Sequence, residues 1–250
     1  MKCLSLTDIH THILPLIDDG ASDITEALTL LKMQKQSGVN RVVLTPHFNP
    51  QKQELDDFLS KRDFCFKRLM DNYDAKTMPE LRLGAEVLYS PDIIKLDLNA
   101  LTLCGGDYLL LELDDLVYPS HLNSIISELT ILGITPVLAH VERCIYFRKN
   151  PHLLYELTLK GAIAHVTAET ISASYDNGFC KALLNKGYVH FAASDTHNIK
   201  KRPPNLAENL DSLSDELVAS LEESARSIWD NVPLYPFNYE KVVKIFGKYY

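Results

Sequence analysis

The sequence predicts a single α/β domain, residues 1–250, in which parallel strands form a barrel-like ring. Three observations favour this fold class. Short apolar runs alternate with helical patterns and glycine turns, several runs are apolar on both faces, and a polar residue follows nearly every run. Parallel strands covered on both faces have this pattern. An open sheet is the alternative, but it would concentrate its polar residues at one crevice, whereas a closed ring of loops distributes them.

Seven apolar runs are predicted as strands. Leu109-Leu110-Leu111 and Pro136-Val137-Leu138-Ala139 lack alternation, as expected for strands buried on both faces. The predicted strands are Cys3–Ile9, Arg41–Leu44, Leu81–Leu88, Tyr108–Leu113, Ile134–Ala139, Ala162–Val166 and Tyr188–Ala193.

Helical patterns occupy the segments between these runs and after the last one. The first helix has a capping residue at Ser22 or Asp23 and ends before Gly38, and glycines close three later helices. The predicted helices are Asp23–Ser37, Gln51–Tyr73, Pro119–Leu132, Asn150–Lys160, Gly178–Lys186, Leu206–Trp229 and Asn238–Lys248.

The charge balance argues against a nucleic-acid partner. The formal net charge is −8, and no basic run is longer than Lys200-Lys201-Arg202, whereas a nucleic-acid-binding surface normally shows a basic patch.

The amino terminus resembles neither a signal peptide nor a membrane span, because Asp8 interrupts its apolar run. Homo-oligomerisation is left open, since no stripe of residues singles out an interface.

The five cysteines are odd in number and scattered, at Cys3, Cys65, Cys104, Cys144 and Cys180. They predict reduced thiols in a cytoplasmic protein, not a disulfide framework. No cysteine has an arginine six positions later. The pattern therefore excludes a phosphatase that uses a Cys-x5-Arg nucleophile.

Candidate metal ligands begin at the end of the first strand, in His10-Thr11-His12. Side chains two apart on a strand share a face, so both imidazoles can reach one cation; two solvated histidines are the alternative. Asp18 and Asp19 precede a helix, where Asp19 is a candidate ligand and an ordinary turn is the alternative. His47 follows the second strand directly.

Two lone carboxylates, Glu86 and Glu112, lie inside otherwise apolar runs. Burying an unpaired carboxylate costs on the order of several kcal/mol, so each needs a cation or a hydrogen-bonding partner. A structural salt bridge is the alternative, but few lysines flanked by apolar residues are available. A metal ion is therefore the better explanation.

The fifth and seventh strands end in further candidates. His140 closes the fifth strand, and Ser194-Asp195-Thr196-His197 closes the seventh. Arg143 and Arg202 follow these two strands, and their planar guanidinium groups are suited to holding a phosphate through two hydrogen bonds. Ordinary surface arginines are the alternative. His121, His152 and His190 are expected outside the site, and the role of His165, in the sixth strand, is left open.

Taken together, these motifs resemble the polymerase-and-histidinol-phosphatase (PHP) superfamily. Within it, the chain is similar to the bacterial manganese-dependent protein-tyrosine phosphatases encoded with capsule and exopolysaccharide genes. The matching segments run in order from Asp8 to about Pro204: His10-Thr11-His12 with Asp18-Asp19-Gly20, Thr45-Pro46-His47, Gly84-Ala85-Glu86, Leu110-Leu111-Glu112, His140-Val141-Glu142-Arg143 and Ser194-Asp195-Thr196-His197-Asn198.

The resemblance implies a PHP fold, a distorted seven-stranded (β/α) TIM-like barrel with three divalent ions. It implies Arg143 and Arg202 as phosphate-binding residues. It also implies three ligand sets, in which Glu86 bridges the first two: His10, His12, Glu86 and Asp195; Glu86, Glu112 and His140; and Asp19, His47 and His197. Mixed imidazole and carboxylate ligation suits Mn, Fe or Zn better than Mg or Ca, and the resemblance makes Mn the expected ion, with Fe or Zn as alternatives.

The implied activity is hydrolysis of phosphotyrosine on the tail of a bacterial tyrosine autokinase that regulates capsule or exopolysaccharide synthesis. Four ligand carboxylates against about six positive charges from three divalent ions leave a surplus that suits a phosphate dianion. Val141 and Cys144 replace the proline and tyrosine usual in the family, which puts the local loop shape and substrate fit in question but not the ligands.

Three other functions stay open at this point. One is a small-molecule phosphatase of the same superfamily, for example one acting on histidinol phosphate. Another is an amidohydrolase, which also starts with His-x-His but commonly has a bridging lysine where this chain has Glu112. The third is a non-catalytic protein that binds a kinase tail, against which the complete ligand set argues.

Overall fold

The central strands of the protein run parallel in two sheets. The computed structural model describes residues 5–172, 178–234, 239–245 and 247–249. In chain order the strands are β1 Leu6–Thr11, β2 Val39–Leu44, β3 His47–Phe48, β4 Glu80–Leu83, β5 Glu86–Leu88, β6 Tyr108–Glu112, β7 Thr135–Leu138, β8 Ile163–Thr167 and β9 Val189–Ala193. One sheet has the order β1-β2-β4, and the other has the order β3-β5-β6-β7-β8-β9.

Backbone hydrogen bonds connect the two sheets at both junctions. At the first junction, Gly84 N–H donates to Leu44 O at 2.9 Å and Glu86 N–H donates to Pro46 O at 3.1 Å. At the second, Asp195 N–H donates to His10 O at 3.0 Å. The first two bonds continue the pairing of β2 with β4 into that of β3 with β5, and the third joins β1 to the segment after β9. The polar residues of the motifs lie at these junctions.

Each of the seven predicted strands corresponds to strands of the structure, with two changes. The predicted strand Leu81–Leu88 is divided into β4 and β5 around Gly84, and β1 extends to Thr11, so His10 lies inside it. Cys3 lies outside the described residues. Within the described ranges the parallel strands form two sheets and no closed barrel, so the architecture is a mixed α/β fold with parallel sheets.

The helices cover the outer faces of the sheets. They are α1 Ile24–Gln36, α2 Leu55–Met70, α3 Leu122–Ile131, α4 Ile145–Lys149, α5 His152–Thr158, α6 Ala168–Ile171, α7 Gly178–Asn185, α8 Leu206–Leu210 and α9 Asp215–Asp230, with 3-10 turns at Ile93–Lys95, Leu98–Ala100 and Leu103–Gly105. Asp23 caps α1 as predicted, because its side chain accepts a hydrogen bond from Glu26 N–H at 2.9 Å. No helix in the described part of the chain has the length and apolar character to cross a membrane.

Most of the predicted helices extend beyond the observed ones, and two predictions also missed an interruption or a neighbouring helix. The predicted helix Leu206–Trp229 is interrupted between α8 and α9, where Ser214 caps a new helix by accepting from Leu217 N–H at 3.3 Å. The predicted helix Asn150–Lys160 begins only after Pro151 and is preceded by α4, which the periodicity did not predict.

The prediction of a terminal helix, Asn238–Lys248, is wrong. Two short antiparallel strands, β10 Lys244–Ile245 and β11 Lys248–Tyr249, occupy this segment, while residues 238 and 246 lie outside the description. Gly247 has φ +82°, a conformation that ends any helix and suits a tight turn. The β-branched side chains of Val242, Val243 and Ile245 also favour an extended chain.

The core has an inner and an outer part. Side chains such as Ile9, Leu110 and Phe191 pack together on the inner face of the sheets, where α9 contributes Trp229. A larger apolar cluster fills the space between the sheets and the surrounding helices. Leu109, Leu110 and Leu111 of β6 are all fully buried, as are Val137 and Leu138 of β7, which accounts for apolar runs without alternation.

Candidate metal centre

The nine predicted ligands come together at the carboxyl ends of the strands. They are five histidines and four acids that are separated along the chain by as many as 187 positions. Six of the nine are buried: His10, His12, Glu86, His140, Asp195 and His197. His47 and Glu112 are partly exposed, and the Asp19 side chain is 68% exposed at the mouth. The cluster therefore reaches from the interior to the surface.

Glu86 lies at the centre of the cluster. Its Oε2 atom lies 3.2 Å from His10 Nε2, 3.1 Å from His12 Nε2 and 3.1 Å from His47 Nδ1. Its Oε1 atom lies 2.9 Å from His140 Nε2. Burial raises the pKa of this carboxyl, but the histidines outweigh burial and hold it well below its usual range, so Glu86 is ionised.

The two histidines of β1 direct the same nitrogen to the same place. His10 Nε2 and His12 Nε2 are 3.1 Å apart. Two lone pairs at this separation repel each other unless a proton or a cation lies between them. A shared cation is thus one way to satisfy both rings.

Asp195 completes this inner group. Its Oδ1 atom lies 3.5 Å from His10 Nε2 and 3.6 Å from His12 Nε2, and among the described residues it has no hydrogen-bond partner although it is buried. Burial raises the pKa of Asp195, but His10 and Arg143 outweigh burial and lower it. A buried, ionised oxygen without a donor is suited to a cation.

Two further groups surround the inner one. His47 Nδ1 and His140 Nε2 approach Glu112 at 3.5 and 4.0 Å. Asp19 Oδ1 lies 3.6 Å from His47 Nε2 and 3.5 Å from His197 Nε2. In three sets the potential ligand atoms all lie within 4.8 Å of one another: His12, Asp19, His47 and His197; His10, His12 and Glu86; and His47, Glu86 and Glu112. His12 and His47 are therefore each shared between neighbouring sets.

Both predicted phosphate-binding arginines lie at this mouth. Arg143 Nη2 is 2.6 Å from Asp195 Oδ2, and Arg202 donates to the same oxygen. Arg202 Nη1 also lies 2.7 Å from His197 Nε2. The side chains are 35% and 37% exposed, so each guanidinium is anchored at the site and still accessible from solvent.

Asp18 orients one of the imidazoles, a role that the sequence analysis did not assign. Its Oδ2 atom lies 2.8 Å from His12 Nδ1 and accepts a hydrogen bond from His47 N–H at 3.0 Å. Burial lowers the pKa of His12, but the hydrogen bond to Asp18 and the charge of Glu86 raise it to about 10. A carboxylate on the second ring nitrogen directs the first toward a metal. The adjacent pair Asp18-Asp19 was the available signal.

Asp8 is a second residue whose role was missed. This buried carboxylate accepts from Ser194 N–H at 3.0 Å, from Ser194 Oγ at 2.5 Å and from Gln34 Nε2 at 2.7 Å. It thereby ties β1 to the segment that carries Asp195. An aspartate inside an apolar strand indicates a buried polar partner, but the sequence analysis uses Asp8 only to argue against a membrane span.

The segment around His140 is anchored to β8. Glu142 Oε1 accepts from Thr167 N–H at 3.0 Å and from Thr167 Oγ1 at 2.6 Å. His165 is fully buried, and burial holds its pKa well below the usual range for histidine, so its ring is neutral. Val141 and Cys144, which depart from the family pattern, are both fully buried in this segment.

The other three histidines lie away from the cluster, as expected. His121 precedes α3, His152 pairs with Glu156 at 3.4 Å on α5, and His190 lies within β9.

The donor set fits divalent metal ions. It combines imidazole nitrogens with carboxylate oxygens, at least two of the carboxylates are ionised and buried, and the Nε2 atoms of His10 and His12 lie 3.1 Å apart. Mn, Fe and Zn accept such mixed ligands.

The cysteines are expected to be dispensable for catalysis. Cys65, Cys104, Cys144 and Cys180, the four that the structure describes, form no disulfide with one another, and burial raises the pKa of three of them, Cys104, Cys144 and Cys180, to about 12. Thiols with such pKa values are poor nucleophiles at neutral pH. We expect Cys→Ala at each of the five positions, Cys3 included, to leave turnover within about twofold of wild type. One folded variant with no turnover in a phosphatase assay would contradict this.

Comparisons with known proteins agree with the site. A family model described as capsular polysaccharide synthesis, CpsB/CapC, matches residues 6–228. The chain is 32% identical to the tyrosine-protein phosphatase YwqE of Bacillus subtilis over 97% of this chain and 99% of that protein. It is also 32% identical to the putative tyrosine-protein phosphatase CapC of Staphylococcus aureus, over 79% of each.

A solved structure is similar over nearly the whole chain. It belongs to the crystal structures of YwqE from Bacillus subtilis and CpsB from Streptococcus pneumoniae, which are described as unique metal-dependent tyrosine phosphatases. The TM-score is 0.84 at 26% identity, with 96% of this chain and 100% of that chain covered.

Proposed function

Since the chain belongs to the CpsB/CapC family of capsular polysaccharide synthesis, we propose that it is a metal-dependent protein-tyrosine phosphatase. The observation that carries this proposal is the convergence of five imidazoles and four carboxylates on one mouth, with two arginines beside them. A phosphate monoester needs both an electrophilic centre and fixed positive charge, and this arrangement can provide both.

Three divalent ions are proposed to occupy the mouth, with Mn as the resident metal and Fe or Zn as alternatives. His10, His12, Glu86 and Asp195 would hold the first ion; Glu86, Glu112 and His140 the second; and Asp19, His47 and His197 the third. The separations of 2.9–4.0 Å within these sets support shared cations. His47 faces Asp19 through Nε2 and Glu86 through Nδ1. It would therefore be able to ligate the second ion as well as the third.

The protein's own groups would bind and orient the phosphate. Bound divalent ions would supply Lewis acidity and an activated water. Arg143 and Arg202, which share Asp195 Oδ2, each have further N–H groups that can donate to phosphoryl oxygens. Their fixed charge would stabilise the charge that develops on those oxygens during hydrolysis.

The substrate is proposed to be the phosphotyrosine tail of a bacterial tyrosine kinase. The partly exposed arginines and the exposed Asp19 place the site at a mouth open to solvent, which a protein tail can enter. We place this reaction in the cytoplasm, where the described cysteines, which form no disulfide with one another, would remain reduced.

The two parallel sheets are proposed to be parts of one distorted seven-stranded barrel, with residues 1–250 acting as a single domain. The hydrogen bonds at both junctions support this, since they continue the pairing from one sheet to the other. In such a barrel the loops at the carboxyl ends of the strands form the active site.

Metal removal tests the proposal directly. Protein stripped of metal by a chelator is expected to lose on the order of 10³-fold or more in turnover of a phosphotyrosine peptide. Reloading with Mn should restore turnover more fully than reloading with Mg, with Zn as a third arm. Histidinol phosphate should be hydrolysed more slowly than the peptide. Unchanged turnover after stripping would contradict the proposal, and a preference for histidinol phosphate would contradict the substrate.

A further inference from the structure

His140 has an unusual backbone conformation that another residue must hold. Its φ is +32°, in a region that residues with a side chain rarely adopt and that persists only when the surroundings enforce it. His140 is the second residue after β7, and its Nε2 atom lies 2.9 Å from Glu86 Oε1. The position of the imidazole therefore depends on whatever fixes this turn.

His165, in the neighbouring strand β8, fixes the turn on both sides. The His140 N–H donates to His165 Nδ1 at 2.9 Å. The next amide, Val141 N–H, donates to His165 O at 3.1 Å. One residue thus accepts both backbone amides that flank the His140 α-carbon, and one of the two acceptors is its side chain.

The hydrogen bond to Nδ1 also decides what His165 can do. A nitrogen that accepts an N–H carries no proton, so the neutral ring is protonated at Nε2. Neither nitrogen then has a free lone pair for a metal ion. His165 is excluded as a tenth ligand, although its ring centroid lies 5.1 Å from that of His10.

We propose that His165 is a positioning residue for the metal centre, which holds His140 in its ligating orientation through the hydrogen bond from the His140 amide to His165 Nδ1. This inference rests on the proposed function, because it takes His140 to be a ligand. A group that orients a ligand in this way affects metal affinity even though it does not touch the metal.

Two substitutions, His165→Asn and His165→Gln, distinguish a positioning role of His165 from a packing role. Asparagine can place its Oδ1 where His165 has Nδ1 and so can still accept from the His140 amide. Glutamine is longer and places its amide where His165 has Nε2. Both are neutral and polar, and they differ by one methylene. A role in packing alone would favour the larger glutamine, whereas the positioning role favours asparagine.

The experiment is a titration of the metal-stripped full-length chain with Mn²⁺, followed by calorimetry or by the electron paramagnetic resonance signal of free Mn²⁺. His165→Ala and His165→Gln are expected to weaken binding of at least one ion by on the order of 10–100-fold. His165→Asn is expected to stay within about threefold of wild type. If His165→Ala does not fold, the comparison of asparagine with glutamine still decides the matter.

His190 provides a matched control. It is a fully buried histidine in the next strand, β9, and its Nδ1 likewise accepts a backbone amide, that of Ala164, at 3.2 Å. Its amide partner belongs to no proposed ligand. His190→Ala and His165→Ala should both lower the melting temperature, but His190→Ala should leave Mn²⁺ affinity unchanged.

If His165→Asn and His165→Gln changed Mn²⁺ affinity equally, or if His165→Gln had wild-type Mn²⁺ affinity, this inference would be overturned while the proposed function stood. A loss of affinity in His190→Ala as large as that in His165→Ala would overturn it as well. A wild-type protein that bound no Mn²⁺ would instead overturn the proposed metal centre, and the inference with it.

Discussion

Glu86→Gln is expected to abolish tight metal binding and to lower turnover of a phosphotyrosine peptide by on the order of 10³-fold or more. Glutamine has the same size, but it carries no charge and offers one oxygen in place of two. Glu86 uses both oxygens, Oε2 toward His10, His12 and His47 and Oε1 toward His140. The substitution therefore affects the ligand that our proposal assigns to two ions at once.

Glu222→Gln is a suitable control. Glu222 is also a largely buried glutamate that uses both oxygens, accepting from Thr7 N–H at 2.7 Å and from Thr7 Oγ1 at 2.8 Å, but near the start of β1. Metal content by mass spectrometry, turnover and melting temperature should be measured for both variants. A folded Glu86→Gln protein with wild-type metal content and more than about a tenth of wild-type turnover would refute the assignment.

Much of the site was predictable because strands impose simple geometry. A parallel strand places its last side chains at one edge, so His10, Glu86 and Asp195 could be expected to meet once their strands were identified. After the His10-x-His12 pair, the lone acids in apolar runs were the most telling signals, since burial without a partner is costly. The family expected from these motifs is confirmed by the comparisons.

The supporting contacts were not predictable in the same way. Asp18, Asp8 and His165 act through hydrogen bonds to partners that lie up to 186 positions away. No local pattern specifies such a partner, because a buried polar residue in a strand indicates only that a partner exists. The positive φ of His140 is likewise a consequence of tertiary contacts.

The errors in the helices had a local origin. Periodicity was correct within Asp215–Asp230, but it did not detect the break before Ser214, whose hydroxyl begins a new helix. At the carboxyl terminus, the apolar spacing that predicted a helix is equally compatible with a short hairpin. The positive φ of Gly247 permits the tight turn of a hairpin and is incompatible with a continuous helix.

Arg143→Ala is expected to retain the metal and to lose transition-state stabilisation, with kcat/KM for the phosphotyrosine peptide reduced by about 10²–10³-fold. Arg143 contacts Asp195 through Oδ2 at 2.6 Å, while the other oxygen, Oδ1, faces the imidazoles. Burial lowers the pKa of Arg143, but the carboxylates of Asp195 and Glu142 outweigh burial and raise it. The side chain is therefore a permanent cation, and its removal leaves the metal ligands in place.

Two further variants make this test specific. Arg143→Lys keeps the charge but loses the planar fork, so only part of the lost rate should return. Arg148→Ala removes an exposed arginine from α4, five positions further along the chain, and should leave kcat/KM unchanged. Metal content and kcat/KM should be measured together for all three proteins. If Arg143→Ala lost its metal, the residue would belong to the support of the metal centre. If Arg143→Ala kept both its metal and its full kcat/KM, Arg143 would have no part in phosphate binding.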